Sequence, residues 1–583
     1  DIDGAVDMAS TLVVASTINT VGITGPKTNF VGSMLISNDA GTGTLDAASN
    51  NTGFGNEVFD DLTSGDDNTG IGAQALAKLT TGTRNTAVGM STGAATTTGI
   101  QNTFVGREAG AANTTASSNT FIGERAGTAN TTGDLSVAVG QFSLATNTTG
   151  ANNVAIGRAA LAANTTASNN TAVGTSALTA NTTGDSNTAV GFNVLGANTT
   201  GVANTAVGHN TLDANTTANN NTAFGYNAST ANTTGTLNVA IGSESMADTT
   251  TGSNNTAVGH NSLHANTTGG TNTAVGQNAL LTNTTASFNT AVGHSALEAN
   301  TTGHTNTAIG KNSLVANTTG ANNTAVGNNA LATQTTANLN TAVGQDAMKV
   351  ATAAANAAFG ATAFYALTTG TENTALGYAA GYAQTTGSSN TFVGYGAGDS
   401  STTGAVNVCI GAVTDLSSVD GVGNIVIGER LTGYGNNTVN FGRTVVGRVY
   451  NQYDTNNSWT RDSDERLKTN IQNDTLGLDF INDLRTVTFN WKPNNEIPKT
   501  LQAYQEKNER DTSTVMHGLI AQEVKTALDT AGVSTFGGWS IDNKDGTQGV
   551  SQEMFIHPLI KAVQELSAKV EELENKKCKC NEE

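Results

Sequence analysis

The sequence predicts a mainly β protein, in which a parallel β-solenoid is followed by an α+β domain that ends in a short coiled coil. Only 12% of the 583 residues are charged and 5% are aromatic, whereas glycine numbers 67 and proline 4. A chain of this composition cannot build a bulky globular core, yet it lacks the charge and proline of disordered chains. A short motif also recurs at a fixed spacing, which is typical of stacked repeats.

The repeat is marked by a glycine that closes a short β-branched stretch. The motif NTAVG ends at Gly174, and its glycine recurs every 17 residues from Gly55 to Gly428, with one shorter step between Gly344 and Gly360. Each period is predicted to form one coil of a solenoid.

One coil, residues 174–190, reads GTSALTANTTGDSNTAV. The TAV stretch is predicted to be a strand, and Gly174 permits a tight corner or a positive φ. Leu178 is predicted to fill the interior of the coil, and NTTG to form the opposite corner. The position after the glycine is Thr175 here and Phe192 in the next coil, and such variation indicates exposure.

The strands carry apolar groups on both faces. Ala172 points to one face, and Thr171 and Val173 point to the other. One face is predicted to line the coil and the other to be buried between chains. Asparagines at equivalent positions are expected to stack into hydrogen-bonded ladders. At about 4.8 Å per step, the repeat predicts a shaft roughly 105 Å long.

These repeats resemble the heads of trimeric autotransporter adhesins over about residues 50–430. The resemblance implies left-handed parallel β-rolls that associate as trimers. It leaves function open, because the same shaft could serve attachment on a bacterial surface or on a virion.

The repeat also contains residue patterns that are typical of other functions. Repeated NTT matches the N-glycosylation acceptor, but recurrence in every coil favours a corner. Three histidines after motif glycines lie two or three coils apart, too far for shared metal binding, and are expected on the solvated surface: His209, His260 and His294. Ice binding would need an exposed, regular threonine face. Sugar hydrolysis would need paired carboxylates, and the acids of the repeats form no recurring pair, although acids of different coils or chains could still meet: Glu108, Asp185, Asp213 and Glu298.

The composition changes at the C-terminal end. Residues 463–583 include the motifs SDERLK and HGLIAQEV, and a seam with heptad spacing formed by Leu559, Val563, Leu566, Val570 and Leu573. The predicted organisation is an unassigned segment, a solenoid shaft, an aromatic neck, a second domain and a terminal coiled coil, with the bounds 1–50, 51–430, 431–462, 463–553 and 554–583.

These C-terminal motifs resemble the intramolecular chaperone domain of phage tailspikes and tail fibres, which endosialidases also carry. The resemblance implies that this domain trimerises, guides folding of the fibre and then cuts itself off. It places a Ser/Lys dyad at Ser463 and Lys468, and the cleaved bond between Asp462 and Ser463.

A Ser/Lys pair is chemically suited to such a reaction. Serine becomes a nucleophile when a base accepts its proton, and a lysine can serve when burial favours its neutral amine. Five residues on an α-helix place side chains about 140° apart. We therefore expect Ser463 in an extended segment or turn before a helix that bears Lys468.

Together, the two resemblances imply a homotrimeric structural fibre of a phage-type virion, located in the virion tail or extracellularly, for host attachment. Its partners would be a host receptor, either glycan or surface protein, and other tail proteins. Its only predicted enzymatic activity is one self-cleavage per chain. No cofactor, metal, nucleic acid or membrane insertion is expected, since the net charge is −20 and no long apolar run exists. A bacterial trimeric adhesin and a polysaccharide-degrading tailspike are the alternatives.

The ends of the chain and its cysteines carry less definite expectations. The chain begins with Asp1 and is expected to be a fragment or a processed product. Cys409 is expected to pack in a strand, while Cys578 and Cys580 could form interchain disulfides or bind metal, with a reduced tail preferred.

Overall fold

The structure is a computed structural model that describes residues 22–24, 34–37, 47–444, 447–452, 460–461, 463–501, 503–508, 510–542 and 544–580. The chain divides into two compact units, Asp1–Asp462 and Ser463–Glu583. The predicted cleavage residue Asp462 lies outside the described residues.

Strands of three residues dominate the first unit, because each strand supplies only one side of a coil. Strands β1 to β28 span Gly22–Thr24, Met34–Ser37, Thr52–Phe54, Thr69–Ile71, Thr86–Val88, Thr103–Val105, Thr120–Ile122, Val137–Val139, Val154–Ile156, Thr171–Val173, Thr188–Val190, Thr205–Val207, Thr222–Phe224, Val239–Ile241, Thr256–Val258, Thr273–Val275, Thr290–Val292, Thr307–Ile309, Thr324–Val326, Thr341–Val343, Ala357–Phe359, Thr374–Leu376, Thr391–Val393, Val408–Ile410, Ile425–Glu429, Thr438–Arg443, Gly447–Gln452 and Thr460–Arg461.

The strands form one parallel ladder in which equivalent residues of successive coils pair. Thr171 lies beside Thr188, and Ala172 lies beside Ala189. The predicted parallel β-solenoid of 17-residue coils, about 23 turns in all, is confirmed. The left-handed sense and the trimer stay predictions.

The ladder extends beyond the predicted shaft at both ends. In the N-terminal segment, for which the sequence predicts no structure, β2 pairs in parallel with β3, and β1 pairs with β2 in the antiparallel sense. At the other end, β26 pairs in parallel with β25 and then turns into antiparallel β27. This hairpin ends the parallel stacking.

The interior of each coil is filled by small and medium apolar side chains, as predicted. Ala172 and Leu178 are completely buried, and their equivalents form one continuous core along the shaft. Where the strand centre is a phenylalanine, the leucine position is a glycine: Phe121 is followed by Gly127, and a Cβ on that glycine would lie 2.5 Å from the ring. The pair conserves interior volume.

Two ladders of buried asparagines run along the shaft. In the ladder beside the strands, the Asn170 side-chain oxygen accepts from the Asn187 backbone N–H at 2.9 Å, and Asn187 Nδ2 donates to the Gly201 carbonyl at 2.8 Å. In the NTT corner, Asn181 Nδ2 donates to Asn164 Oδ1 at 3.1 Å. The predicted ladders are therefore present and satisfy buried polar backbone.

Each coil turns with the help of left-handed backbone. Gly174 has φ 137°, and a Cβ there would lie 2.1 Å from the Gly191 carbonyl oxygen, so only glycine fits. Three non-glycine residues of the same coil also have positive φ: Ser176, Leu178 and Ser186.

The outward face of the ladder is a row of Thr beside a row of Val, Ile or Phe. Thr171 and Val173 are half-buried in the single chain, and larger members such as Phe54 and Ile71 are exposed. The predicted burial of this face between chains stays a prediction.

The second unit combines three α-helices with two small hairpins. Helices α1 to α3 span Leu478–Asn482, Ala521–Thr530 and Ile556–Cys580, strands β29 to β32 span Val487–Phe489, Met516–Gly518, Trp539–Ile541 and Gln548–Val550, and short 3-10 helices span Glu465–Leu467, Asn494–Glu496 and Gln552–Phe555. Its core is formed by Leu476, Phe480, Val524, Ala527 and Leu528. The five heptad-seam residues on α3 are exposed in the single chain.

Candidate functional site

The second unit begins with the predicted Ser/Lys pair. The structure brings the two side chains together: Lys468 Nζ donates to Ser463 Oγ at 2.6 Å. A lysine nitrogen at this distance is positioned to exchange a proton with the hydroxyl. Both residues are exposed in the single chain.

A capped turn creates this contact. Asp464 precedes the 3-10 helix Glu465–Leu467, and its Oδ1 accepts from the Arg466 backbone N–H at 2.9 Å. The Arg466 side chain also donates to Asp464, through Nη2 to Oδ2 at 2.6 Å. These hydrogen bonds from Arg466 hold the pKa of the Asp464 carboxyl below its usual value. The cap therefore stays an anionic acceptor at neutral pH.

The prediction that Lys468 lies on a helix was wrong. Lys468 directly follows the 3-10 helix and has an extended backbone, with φ −117° and ψ 149°. Its N–H donates to the Glu465 carbonyl, which closes the turn. Because one tight turn followed by an extended residue reverses the chain, a spacing of five brings the side chains together without an α-helix.

Sequence reasoning missed the roles of Asp464 and Arg466. Aspartate is a preferred residue immediately before a helix, so a signal for the cap was present. The arginine two residues later gave no such signal, because residues two apart do not face each other on an α-helix. They meet here because the turn begins at the aspartate.

Exposed apolar residues flank the pair. Leu467 and Ile471 are 71% and 62% exposed in the single chain. The surface next to the Ser463–Lys468 pair is therefore partly apolar in the single chain.

The other candidate residues do not converge on a site. His260 and His294 are exposed, and His209 is exposed with its ring between two aromatic neighbours. Cys409 is buried at a strand centre, and burial raises the pKa of its thiol. Cys578 lies in the last turns of α3, as does Cys580. Within the described residues, no three His, Cys, Asp or Glu side chains are grouped to hold a metal ion.

The scattered acids of the shaft serve local contacts. Glu108 forms an ion pair with Arg125 of the next coil at 2.7 Å, and Asp185 accepts from the Ser168 backbone N–H at 2.6 Å. Asp213 accepts from Asn193 at 2.8 Å, while partial burial raises the pKa of its carboxyl. These contacts connect neighbouring coils.

The NTT asparagines are unsuited to glycosylation in the folded shaft. Asn181 is completely buried, and its Nδ2 donates to both Asn164 and the Gly184 carbonyl. The structural-corner interpretation accounts for the motif.

A pocket of about 610 Å³ lies in the second unit beside the first hairpin. It contains His517 of the HGLIAQEV motif, and its lining includes neither Ser463 nor Lys468. Among the described residues, no helix is long and apolar enough to cross a membrane.

Residues 463–533 match the protein family described as chaperone of endosialidase. The match begins at Ser463, where the second unit also begins, and includes Lys468 and HGLIAQEV. Searches among curated proteins and among solved structures found no match to the chain. The family match and the solenoid fit a fibre of the tailspike or endosialidase type with a C-terminal chaperone.

Proposed function

We propose that this chain is a homotrimeric fibre of a phage-type virion that attaches to a host cell surface, and that its C-terminal unit assembles the fibre and then releases itself by cleaving the Asp462–Ser463 bond. One observation carries the proposal: the Ser463–Lys468 hydrogen bond lies at the first residue of the segment that matches the endosialidase chaperone family. The shaft supplies the extended body that a fibre requires.

The proposed cleavage needs only the chain itself and water. Lys468, as a neutral amine, takes the proton of the Ser463 hydroxyl, whose oxygen attacks the carbonyl carbon of Asp462. The C–N bond breaks, the lysine returns the proton to the departing Ser463 amine, and an ester joins the two residues. Water then hydrolyses the ester to give a carboxylate at Asp462 and the Ser463 hydroxyl.

Exposure of the pair suggests how the reaction would be timed. Burial favours the neutral form of a lysine, whereas Lys468 is exposed in the single chain. The neighbouring exposed side chains of Leu467 and Ile471 provide an apolar surface for covering the pair. Cleavage would therefore follow assembly, when another segment excludes water from the site.

Two exposed apolar features support association of identical chains. The seam on α3 has heptad spacing and is exposed along five residues, from Leu559 to Leu573. The outward Val/Ile row of the shaft presents a second, regular apolar surface. Identical seams on three chains would associate in register, and the shaft faces would then meet.

A removable chaperone solves a folding problem of the shaft. Its coils are nearly identical, so strands could pair one coil out of register with little loss of contact. Parallel pairing is also slow, because the partners are distant along the chain. A second unit with a conventional core would trimerise first and align the three shafts.

The test is N-terminal sequencing of the C-terminal fragment that forms when the full-length chain is produced. The proposal predicts one fragment whose first residue is Ser463. A fragment that begins elsewhere would assign the cleavage to a contaminating protease.

A further inference from the structure

One corner of the shaft carries a short aromatic ladder. The corner row consists of the residue that follows each motif glycine, and in three successive coils this residue is Phe192, His209 and Tyr226. Their rings stack with centroid separations of 5.2 and 5.4 Å. Phe192 and Tyr226 are 52% and 51% exposed. Contiguous exposed rings of this kind mark an interaction surface.

The corner row is unsuited to contacts between copies of the chain. Elsewhere along the shaft the same row carries charged residues, including Arg107, Glu124, Arg158, Lys311 and Glu429. Interface cores are depleted of charge, whereas the outward Val/Ile row is uniformly apolar. The corner row therefore faces solvent when the chains associate, and the ladder is left for an external partner.

The ladder stops at a small residue. The next member of the row after Tyr226 is Ser243, and the following one is His260, which is exposed. Steps along a parallel ladder are about 4.8 Å, so the positions of Tyr226 and His260 are roughly 10 Å apart. Atoms in van der Waals contact lie about 3.5–4.0 Å apart, so one ring fits beside the free face of Tyr226 above Ser243.

Polar residues adjoin this position along the chain. Glu244 follows Ser243, and its Oε2 lies 3.8 Å from His264 Nε2, while Asp248 Oδ2 lies 3.6 Å from His264 Nδ1. Asn227 follows Tyr226 and adds an amide. Carboxylates and amides accept hydrogen bonds from hydroxyls, and the negative face of an aromatic ring attracts polarised C–H groups. The ligand chemistry is that of a hydroxylated, saturated ring.

The net charge of the shaft favours neutral over acidic sugar rings. Residues 1–462 carry a net charge of −14, counted from 12 Lys and Arg against 26 Asp and Glu. An acidic shaft repels polyanions, so a neutral ring is favoured over an acidic one.

We propose that the Ser243 position is a binding site for a neutral sugar ring of a host-surface glycan, stacked on Tyr226 and held through its hydroxyls by Glu244 and Asn227. The site rests on the proposed attachment role and specifies its ligand class. It differs from a catalytic site because no bond in the glycan is broken.

The experiment applies purified full-length protein to an array of neutral oligosaccharides of glucose, galactose and N-acetylglucosamine, and of anionic ones that contain sialic or uronic acid. Wild type should bind a neutral glycan. Tyr226→Ala should weaken the affinity at least ten-fold, Tyr226→Trp should retain it, and Ser243→Tyr should block the site by extending the ladder. Phe288→Ala is the matched control, because this phenylalanine is 64% exposed on another corner.

Two results would overturn the site: no binding to any neutral glycan, or unchanged affinity in both Tyr226→Ala and Ser243→Tyr. Adhesion of the wild type to a panel of bacterial strains distinguishes failure of the glycan site from failure of the proposed attachment role. Adhesion that both substitutions leave unchanged rejects the site and keeps the attachment role, whereas no adhesion to any strain rejects the attachment role as well.

Discussion

At the residue scale, single side chains fix the geometry of both units. In the second unit, the Asp464 carboxylate caps the turn that places Lys468 against Ser463. In the shaft, a missing side chain is equally decisive, because Gly127 leaves room for the buried Phe121 ring. Both features depend on atoms within hydrogen-bonding or van der Waals distance, so substitutions test them directly.

Asp464 is expected to position the Ser/Lys pair. Asp464→Ala removes the cap, which contributes about 1 kcal/mol, and should slow self-cleavage roughly five-fold. Asp464→Asn keeps an acceptor for the Arg466 N–H and should cleave at least half as fast as the wild type. The measurement is the cleavage rate by gel densitometry.

The control for this prediction is Asp474→Ala, which removes a similar contact to the Leu476 backbone N–H away from the pair. This variant should cleave at the wild-type rate. Equal rates for the alanine variants at both positions would show that the Asp464 cap has no part in cleavage.

Phe121 and Gly127 are expected to be energetically coupled. Gly127→Leu forces a side chain against the ring, and Phe121→Ala leaves a cavity that costs about 3–5 kcal/mol. The double substitution recreates the Ala/Leu pair found at Ala172 and Leu178, and should recover most of the loss. Unfolding rates of the four proteins in guanidinium give the coupling energy in the unfolding barrier, and additive effects of the two substitutions would show that the side-chain volumes are not coupled.

At the element scale, the coil is held by ladders that cross from one turn to the next. Asn187 joins three coils. Its backbone N–H donates to Asn170 Oδ1 of the preceding coil at 2.9 Å. Its side chain donates to the Gly201 carbonyl and accepts from the Asn204 backbone N–H at 3.0 Å, both in the next coil. Such bonds compensate for left-handed backbone in every coil, which costs about 1–2 kcal/mol per non-glycine residue.

Asn187→Ala should destabilise the shaft by about 1–3 kcal/mol, because it leaves the buried Asn204 backbone N–H without an acceptor, whereas the Gly201 carbonyl still accepts from Asn198. Asn187→Ser is the matched control, since Ser136 occupies the same ladder position and its Oγ accepts from the Asn153 N–H at 3.2 Å. Unfolding rates in guanidinium should rank wild type slowest, serine next and alanine fastest. If the serine and alanine variants unfold at indistinguishable rates, the ladder hydrogen bond does not stabilise the shaft.

The α3 seam is expected to hold the chains together during assembly. Val563→Asp or Val570→Asp places a charge in the proposed coiled-coil core and should yield monomers or aggregates instead of trimers. Glu571→Ala changes a residue outside the seam and should leave the trimer intact. Sedimentation velocity of uncleaved Ser463→Ala protein that carries each substitution measures the outcome, and a trimeric Val570→Asp protein would argue against the seam.

The sequence predicted the periodic features well and the local exceptions poorly. Ala172, Leu178 and the asparagine ladders follow from period and residue type, because burial in a solenoid repeats with the coil. The left-handed backbone conformation of Leu178 could not be predicted in this way, because leucine has no local preference for it. Its N–H donates to the Val194 carbonyl of the next coil at 2.9 Å, so tertiary contacts impose this conformation. The turn at Lys468 was missed because helical geometry was assumed.

At the scale of the whole molecule, a repetitive shaft and a conventional unit divide the tasks of structure and assembly. The boundary between the units falls between Asp462 and Ser463, the bond that the proposed reaction would cut. Release would leave a shaft that cannot readily refold, because the C-terminal unit that aligns the three chains is no longer attached.

A chain that ends at Asp462 should therefore fail to form native trimers after denaturation, whereas full-length Ser463→Ala protein should refold. Static light scattering after dilution from guanidinium distinguishes trimers from aggregates. Efficient trimer formation by the shortened chain would show that the shaft needs no chaperone.

The decisive measurement is the intact mass of the purified wild type, beside Ser463→Ala and Lys468→Ala. Self-release by this pair predicts a wild-type chain cut between Asp462 and Ser463, with both variants at full length. Full-length wild type under all conditions, or cleavage that persists in either variant, would contradict self-release by this pair.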